Sequence, residues 1–155
     1  MARNELLGNI GRGMVAGAVG TAALTLSETL EMAVSGRPAS SVPGQVGAAL
    51  LPNHDPASAA DVARLNGPVH WGHGIAMGAL RGVLDAAGLR GRSATVAHFG
   101  LLWGGDAALY RALGIADAPW HWSADELATD LLHKGVYAAV TGAVYDAATQ
   151  PPGDA

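Results

Sequence analysis

Residues 69–82 read VHWGHGIAMGALRG, two histidines and a tryptophan followed by Gly74, Gly78 and Gly82 at intervals of four. Glycines four apart lie one above another on a single helix face, because 3.6 residues make a turn. That face carries no side chains, so a neighbouring helix can approach it closely. Gly13 and Gly17 repeat the step earlier in the chain. The pattern predicts helices packed backbone to backbone, with His70 and His73 held just beyond the ridge. In an isolated helix each of these glycines would cost about 1 kcal/mol relative to alanine.

Outward from this ridge, four helical segments are predicted. The first covers about 13–35 and is ended by Gly36 and Pro38. The second covers 68–88 and the third 93–114. The fourth, 123–149, opens on a capping box in which Ser123 caps and Glu126 reaches back to its amide. The link 36–67 holds Pro38, Pro43, Pro52 and Pro56. Within it DPASAADVARLNG (55–67) reads as a short surface helix, capped by Asp55 with Pro56 at its first position. Residues 150–155 read as a disordered tail. Nothing alternates with period two for long enough to be a strand, so the class is all-α. The expectation is one domain over 1–149, a four-helix bundle in up-down-up-down order, because short links make neighbours antiparallel.

Composition narrows the function classes. Charged residues are 14% of the 155, against roughly 25% in ordinary soluble domains. So little charge points to lipid or a large partner covering part of the surface. A net charge of −4 with scattered arginines argues against a nucleic-acid footprint. With no cysteine, disulfides and thiolate chemistry are excluded. Arginines precede an apolar stretch at the start, as in a signal peptide. Glu28 and Glu31 follow where a cleavage site would need small residues, so no cleavage is expected.

The membrane question divides the signals. Uncharged runs at 13–27, 65–80, 93–105 and 135–145 all fall short of the roughly 18 residues that mark a span. Asp130 and Lys134 at mid-depth would together cost about 5–7 kcal/mol. However, Asp130 with Lys134, and Arg81 with Asp85, are four apart and can neutralise one another. The glycine ridge packs helices where no hydrophobic drive exists. Trp71, Trp120 and Trp122 gather at one end of an antiparallel bundle like an interfacial belt, and Arg3, Arg12, Arg90 and Arg92 gather at the other. The balance favours a transmembrane bundle in an inner membrane with both termini cytoplasmic. The bilayer would be its partner, with a homo-oligomer or larger membrane complex as a further option.

Four strings carry a resemblance: SETLEMAVSGRPASSVP (27–43), VHWGHGIAMGALRGVLDAAGLRG (69–91), APWHWSADEL (118–127) and DLLHKGVYAAVTGAVYD (130–146). Over residues 12–147 the chain resembles uncharacterised bacterial proteins that are distantly similar to the YagU-like inner-membrane family. The resemblance implies a small four-span membrane protein and carries over no catalytic or binding residue.

Antiparallel order also places chemistry. Counted from the tryptophan end, Glu28 and Glu31, His70 and His73, Asp106, and Asp130, His133 and Lys134 fall at one level of the bundle. Three readings of this polar layer compete. A divalent metal could use Glu28, Glu31, His70, His73 and His133, because Glu-x-x-Glu and His-x-x-His put paired ligands on one helix face, although the Glu-x-x-His pattern of di-metal bundles is missing. A proton or ion path could use the same residues, with histidine titrating near neutrality. A structural network, in which carboxylates and cations merely pin the helices, is the reading the sequence favours. No cofactor is predicted outright, and no enzyme activity is indicated. Ser27 lacks a nucleophile-elbow context. His98 reads as a satisfied helix-end histidine and Trp103 as packing. The alternative to the membrane protein is a soluble bundle with a His/carboxylate metal site, or an accessory subunit of a larger complex.

Overall fold

Five α-helices and no strand make up residues 3–149, the part of the chain that the computed structural model describes. They are α1 (Arg3–Ser35), α2 (Val42–Leu50), α3 (Ala59–Ala86), α4 (Gly91–Ala112) and α5 (Ala124–Thr149), with a single 3₁₀ turn at Pro119–His121. The tail expected at 150–155 lies outside the described residues.

The glycine ridge settles how α1 and α3 meet. A β-carbon on Gly17 would lie 2.7 Å from the Gly74 carbonyl oxygen, closer than β-carbons approach such an atom. Gly13 faces Gly78 and Gly82, and Gly82 faces Asn9, so the two helices run antiparallel along a seam from Asn9 to Thr21. Helix α5 packs antiparallel to α1, with Gly20 against Tyr137 and Thr141, and antiparallel to α4, with Gly142 against Thr95. Helix α4 closes the set against α3, where His98 Nε2 donates to the Met77 carbonyl at 2.8 Å. The long helices therefore alternate in direction. Their small apolar core centres on Leu102, Tyr137 and Ala138, with Leu24, Met77 and Phe99 packed around it.

Three boundaries differ from the sequence reading. Helix α1 begins ten residues earlier, at Arg3 rather than at residue 13. Packing of Asn9 on Gly82, and its 3.0 Å hydrogen bond to Asp85, outweigh the helix-weakening Gly8 and Gly11. Helix α3 does not begin at Pro68 but runs through it from Ala59, with Ser58 rather than Asp55 as the cap. Proline in a helix interior costs about 3 kcal/mol. Here that segment is braced by α2, whose Gly44 sits on Val62 and whose Gly47 sits on Leu65 and Val69. Helix α2 itself was read as a link. Asn66 fixes it at both ends of its amide, accepting from Gly44 N at 2.9 Å and donating to Ser40 O at 3.0 Å.

The larger correction concerns the membrane. Among the described residues no helix is long and apolar enough to cross a membrane. Length is not the obstacle, since α1 has 33 residues. The helices are built from glycine, alanine and threonine, and ionisable groups recur along them: Arg12, Glu28 and Glu31 in α1, Arg81 and Asp85 in α3, Asp130, Lys134 and Asp146 in α5. This overturns the four-helix transmembrane bundle, and with it the transmembrane helices, the inner-membrane location and the cytoplasmic orientation of the termini. The glycine ridge marks a close helix crossing, a demand that does not depend on lipid. The i,i+4 pairing of Arg81 with Asp85 also fails: Arg81 reaches across to Asp146, and Asp85 takes Arg90 at 3.0 Å.

Candidate functional site

Where the glycine seam ends, the bundle opens. Thr21 and Gly74 form the end of the seam and, with Leu102 and Tyr137, the floor of a chamber of about 1230 Å³. The Tyr137 hydroxyl donates to the Gly74 carbonyl at 2.6 Å, which fixes the floor. One turn beyond it, Thr25 of α1 and His70 of α3 meet through their side chains at 2.9 Å. Arg37, Trp71, Trp122 and the start of α5 form the rim. Reciprocal hydrogen bonds between Ser123 and Glu126 begin that helix, as the capping-box motif requires.

All eight residues of the predicted polar layer line this chamber: Glu28, Glu31, His70, His73, Asp106, Asp130, His133 and Lys134. They do not form one network. Asp106 is the hub of a closed half. Its Oδ1 lies 3.0 Å from His73 Nε2 and its Oδ2 lies 3.2 Å from Lys134 Nζ. Lys134 also meets Asp130 at 2.9 Å, the i,i+4 pair expected on α5. Three helices, α3, α4 and α5, are tied by this cluster. Burial alone would raise the Asp106 carboxyl, but the His73 ring and the Lys134 ammonium more than offset it and hold the group below the usual carboxylate range. Tyr110 is pushed up, first by burial and then by the Asp106 and Asp130 charges.

The other half is open and belongs mainly to the α1 side. Thr25 Oγ1 donates its one proton to the Thr21 carbonyl at 2.8 Å, so at 2.9 Å it accepts from His70 Nε2. His70 Nδ1 is then the unprotonated nitrogen. Burial, and secondarily the neighbouring His73, hold the His70 ring below the ordinary histidine range. His133 is 4% exposed; its Nδ1 is hydrogen-bonded to Ser27 at 2.8 Å while its Nε2 has no hydrogen-bond partner. Two nitrogens of Arg37 converge on Glu31 Oε2 at 3.0 and 2.8 Å, and this contact keeps the Glu31 carboxyl low. Glu28 has no hydrogen bond or ion pair among the described residues, and burial raises its carboxyl despite the nearby His133 and Arg37.

Among the described residues no group of three His, Asp or Glu is arranged to hold a metal ion. Of the five residues read as possible ligands, His70 turns to Thr25, His73 to Asp106 and His133 to Ser27, so the imidazoles do not converge. Compared with family models, curated proteins and solved structures, the chain matches none. The likeness to the YagU-like family rests on the quoted strings alone.

Several partners escaped the sequence reading. Arg37, from the loop, is the cation that pairs with Glu31. Thr25 and Ser27 anchor two of the histidines. Thr25 lies four residues beyond Thr21, itself four beyond Gly17, and that spacing was the signal available. Trp71 and Trp122 line the chamber rather than a lipid interface. His98, read as a satisfied helix-end histidine, is fully buried two turns into α4, with Nε2 on the Met77 carbonyl and Nδ1 without a partner among the described residues, and Trp103 Nε1 is likewise buried without a hydrogen-bond partner.

Proposed function

We propose that this protein is a helical binding module whose chamber takes up a small polar organic molecule. The observation that carries the reading is the division of the polar layer. A network that only pinned helices would pair its members, as Asp106, Lys134, Asp130 and His73 do. In the open half, Glu28 has neither hydrogen bond nor ion pair among the described residues, and the His133 Nε2 meets only Glu31, at 3.8 Å, beside a cavity large enough for a metabolite-sized ligand. Closed and open halves thus have different roles. The first supports the wall, and the second recognises what enters.

Nucleophilic catalysis is not supported by the same geometry. Ser27, His133 and Glu31 follow one another in space, but Ser27 lies outside the chamber lining, and Glu31 is 3.8 Å from the imidazole. Helical amides around Ser27 are engaged in the α1 ladder, so none is free to form an oxyanion hole. Ser27 is an anchor for the His133 ring.

A panel of small amines, carboxylates, alcohols and sugars, screened by thermal shift and isothermal calorimetry, tests the reading. At least one class is expected to bind saturably and raise the melting temperature. Leu109→Trp, which fills the chamber from a half-buried wall position, is expected to abolish that binding. Binding that survives Leu109→Trp, or a panel with no binder, would overturn the reading.

A further inference from the structure

The charge balance of the chamber bears on the class of ligand, granted the reading that the chamber is a binding site. Seven carboxylates line it against two fixed cations, Arg37 and Lys134. Both cations are engaged, Arg37 by Glu31 and Lys134 by Asp106 and Asp130. An entering anion would meet a field of the wrong sign and, among the described residues, no free lysine or arginine in the lining. A positive group is drawn inward, because low-dielectric walls focus the field of the carboxylates.

Two further observations do not depend on that balance. The buried His133 Nε2 has no hydrogen-bond partner, while its Nδ1 is held by Ser27. Glu31 Oε2 stands 3.8 Å from Nε2; in the tautomer whose Nδ1–H donates to the serine oxygen, Nε2 presents a lone pair that an N–H donor would satisfy. In addition, the chamber wall already holds one ammonium. Lys134 Nζ rests between two carboxylates and 5.1 Å from the centre of the Tyr110 ring. Carboxylate on one side and aromatic face on the other is the chemistry that recognises organic ammonium groups. Trp71 and Trp122 also line the chamber, and Glu28 is the one carboxylate of the polar layer without a cation partner among the described residues.

We propose that the chamber binds a small protonated amine, whose ammonium head is held by Glu28 and donates one N–H to His133 Nε2, with its carbon body against Trp71 and Trp122.

The test is calorimetric titration of the full chain, in excess sodium chloride, with n-butylammonium, n-butyrate and n-butanol. Saturable binding of n-butylammonium alone is expected, weakened about tenfold or more by Glu28→Gln. Asp125→Asn, at the rim, is expected to change it little. If butyrate or butanol binds as well as the ammonium, the amine proposal fails while the chamber reading stands. Unchanged affinity in Glu28→Gln, or loss of ammonium binding in excess sodium, overturns the proposal as well. If none of the three binds, it fails, and the wider panel decides separately whether the chamber binds anything.

Discussion

Gly17 and Gly78 meet backbone to backbone: a β-carbon on Gly17 would lie 2.7 Å from the Gly78 Cα. A single methyl group there must push two helices apart. Gly78→Ala is therefore expected to destabilise the fold by about 2 kcal/mol, the overpacking penalty exceeding the roughly 1 kcal/mol that alanine gains in helix propensity. Gly72→Ala, on the same helix but with nothing within 4 Å, is expected to stabilise it by up to about 1 kcal/mol. Urea denaturation of the two variants measures the contrast. Equal effects would show that the seam is not tight.

Removing the hub of the closed half leaves its two partners stranded. Asp106→Ala strips the buried Lys134 and the His73 ring of a shared carboxylate, at an expected cost of about 3–5 kcal/mol. Because the Asp106 carboxyl is held low in the fold, its contribution is present above the ordinary value of 3.8 and is lost as pH falls through the still lower folded value. Denaturation midpoints followed into acid should decline in the native protein, and decline less steeply through that range in Asp106→Asn.

Glu28 has the opposite sign. Burial raises its carboxyl above the ordinary 4.5, so the folded chain holds that proton more tightly than the unfolded chain. The corresponding stability is full below the ordinary value and is lost as pH rises through the folded one. Glu28→Gln, which keeps the shape and removes the charge, is expected to raise the melting temperature at neutral pH and to leave it nearly unchanged well below the carboxylate range. A lower melting temperature at neutral pH would mean that the Glu28 charge supports the fold.

His70 and His98 both favour the neutral ring, first through burial, and for His98 in spite of the hydrogen bond to Met77, which works the other way. Their contribution to stability is present above the ordinary 6.5 and is lost as pH falls through their lowered folded values. Proton NMR titration should place both midpoints below that of an unstructured histidine peptide. His98→Phe, retaining the ring against Tyr137, should reduce the acid sensitivity between those limits. A midpoint at or above the peptide value would contradict the burial of either ring.

How much of this was readable from the residues depends on distance along the chain. The eight layer residues share a chamber because helical rise and alternating direction fix height, and both follow from periodicity and short links. Which of them pair is another matter. Arg37 reaches Glu31 only because its loop folds back, and loop conformation leaves little periodic signal. Helix α2 had one clue, Pro43 in its first turn, but its stability comes from Asn66 and from glycine contacts with α3. The membrane inference failed at a definite physical point. Glycine spacing reports how closely two helices approach, not the solvent outside them.

The seam and the chamber lie on the same two helices, one immediately after the other, so α1 and α3 act as a pair of levers on a shared pivot. A methyl-sized change near Gly17 would first strain the Thr25–His70 contact, the next tie between the two helices. The aperture of the mouth can thus be retuned from the pivot while the chemistry of its walls stays fixed.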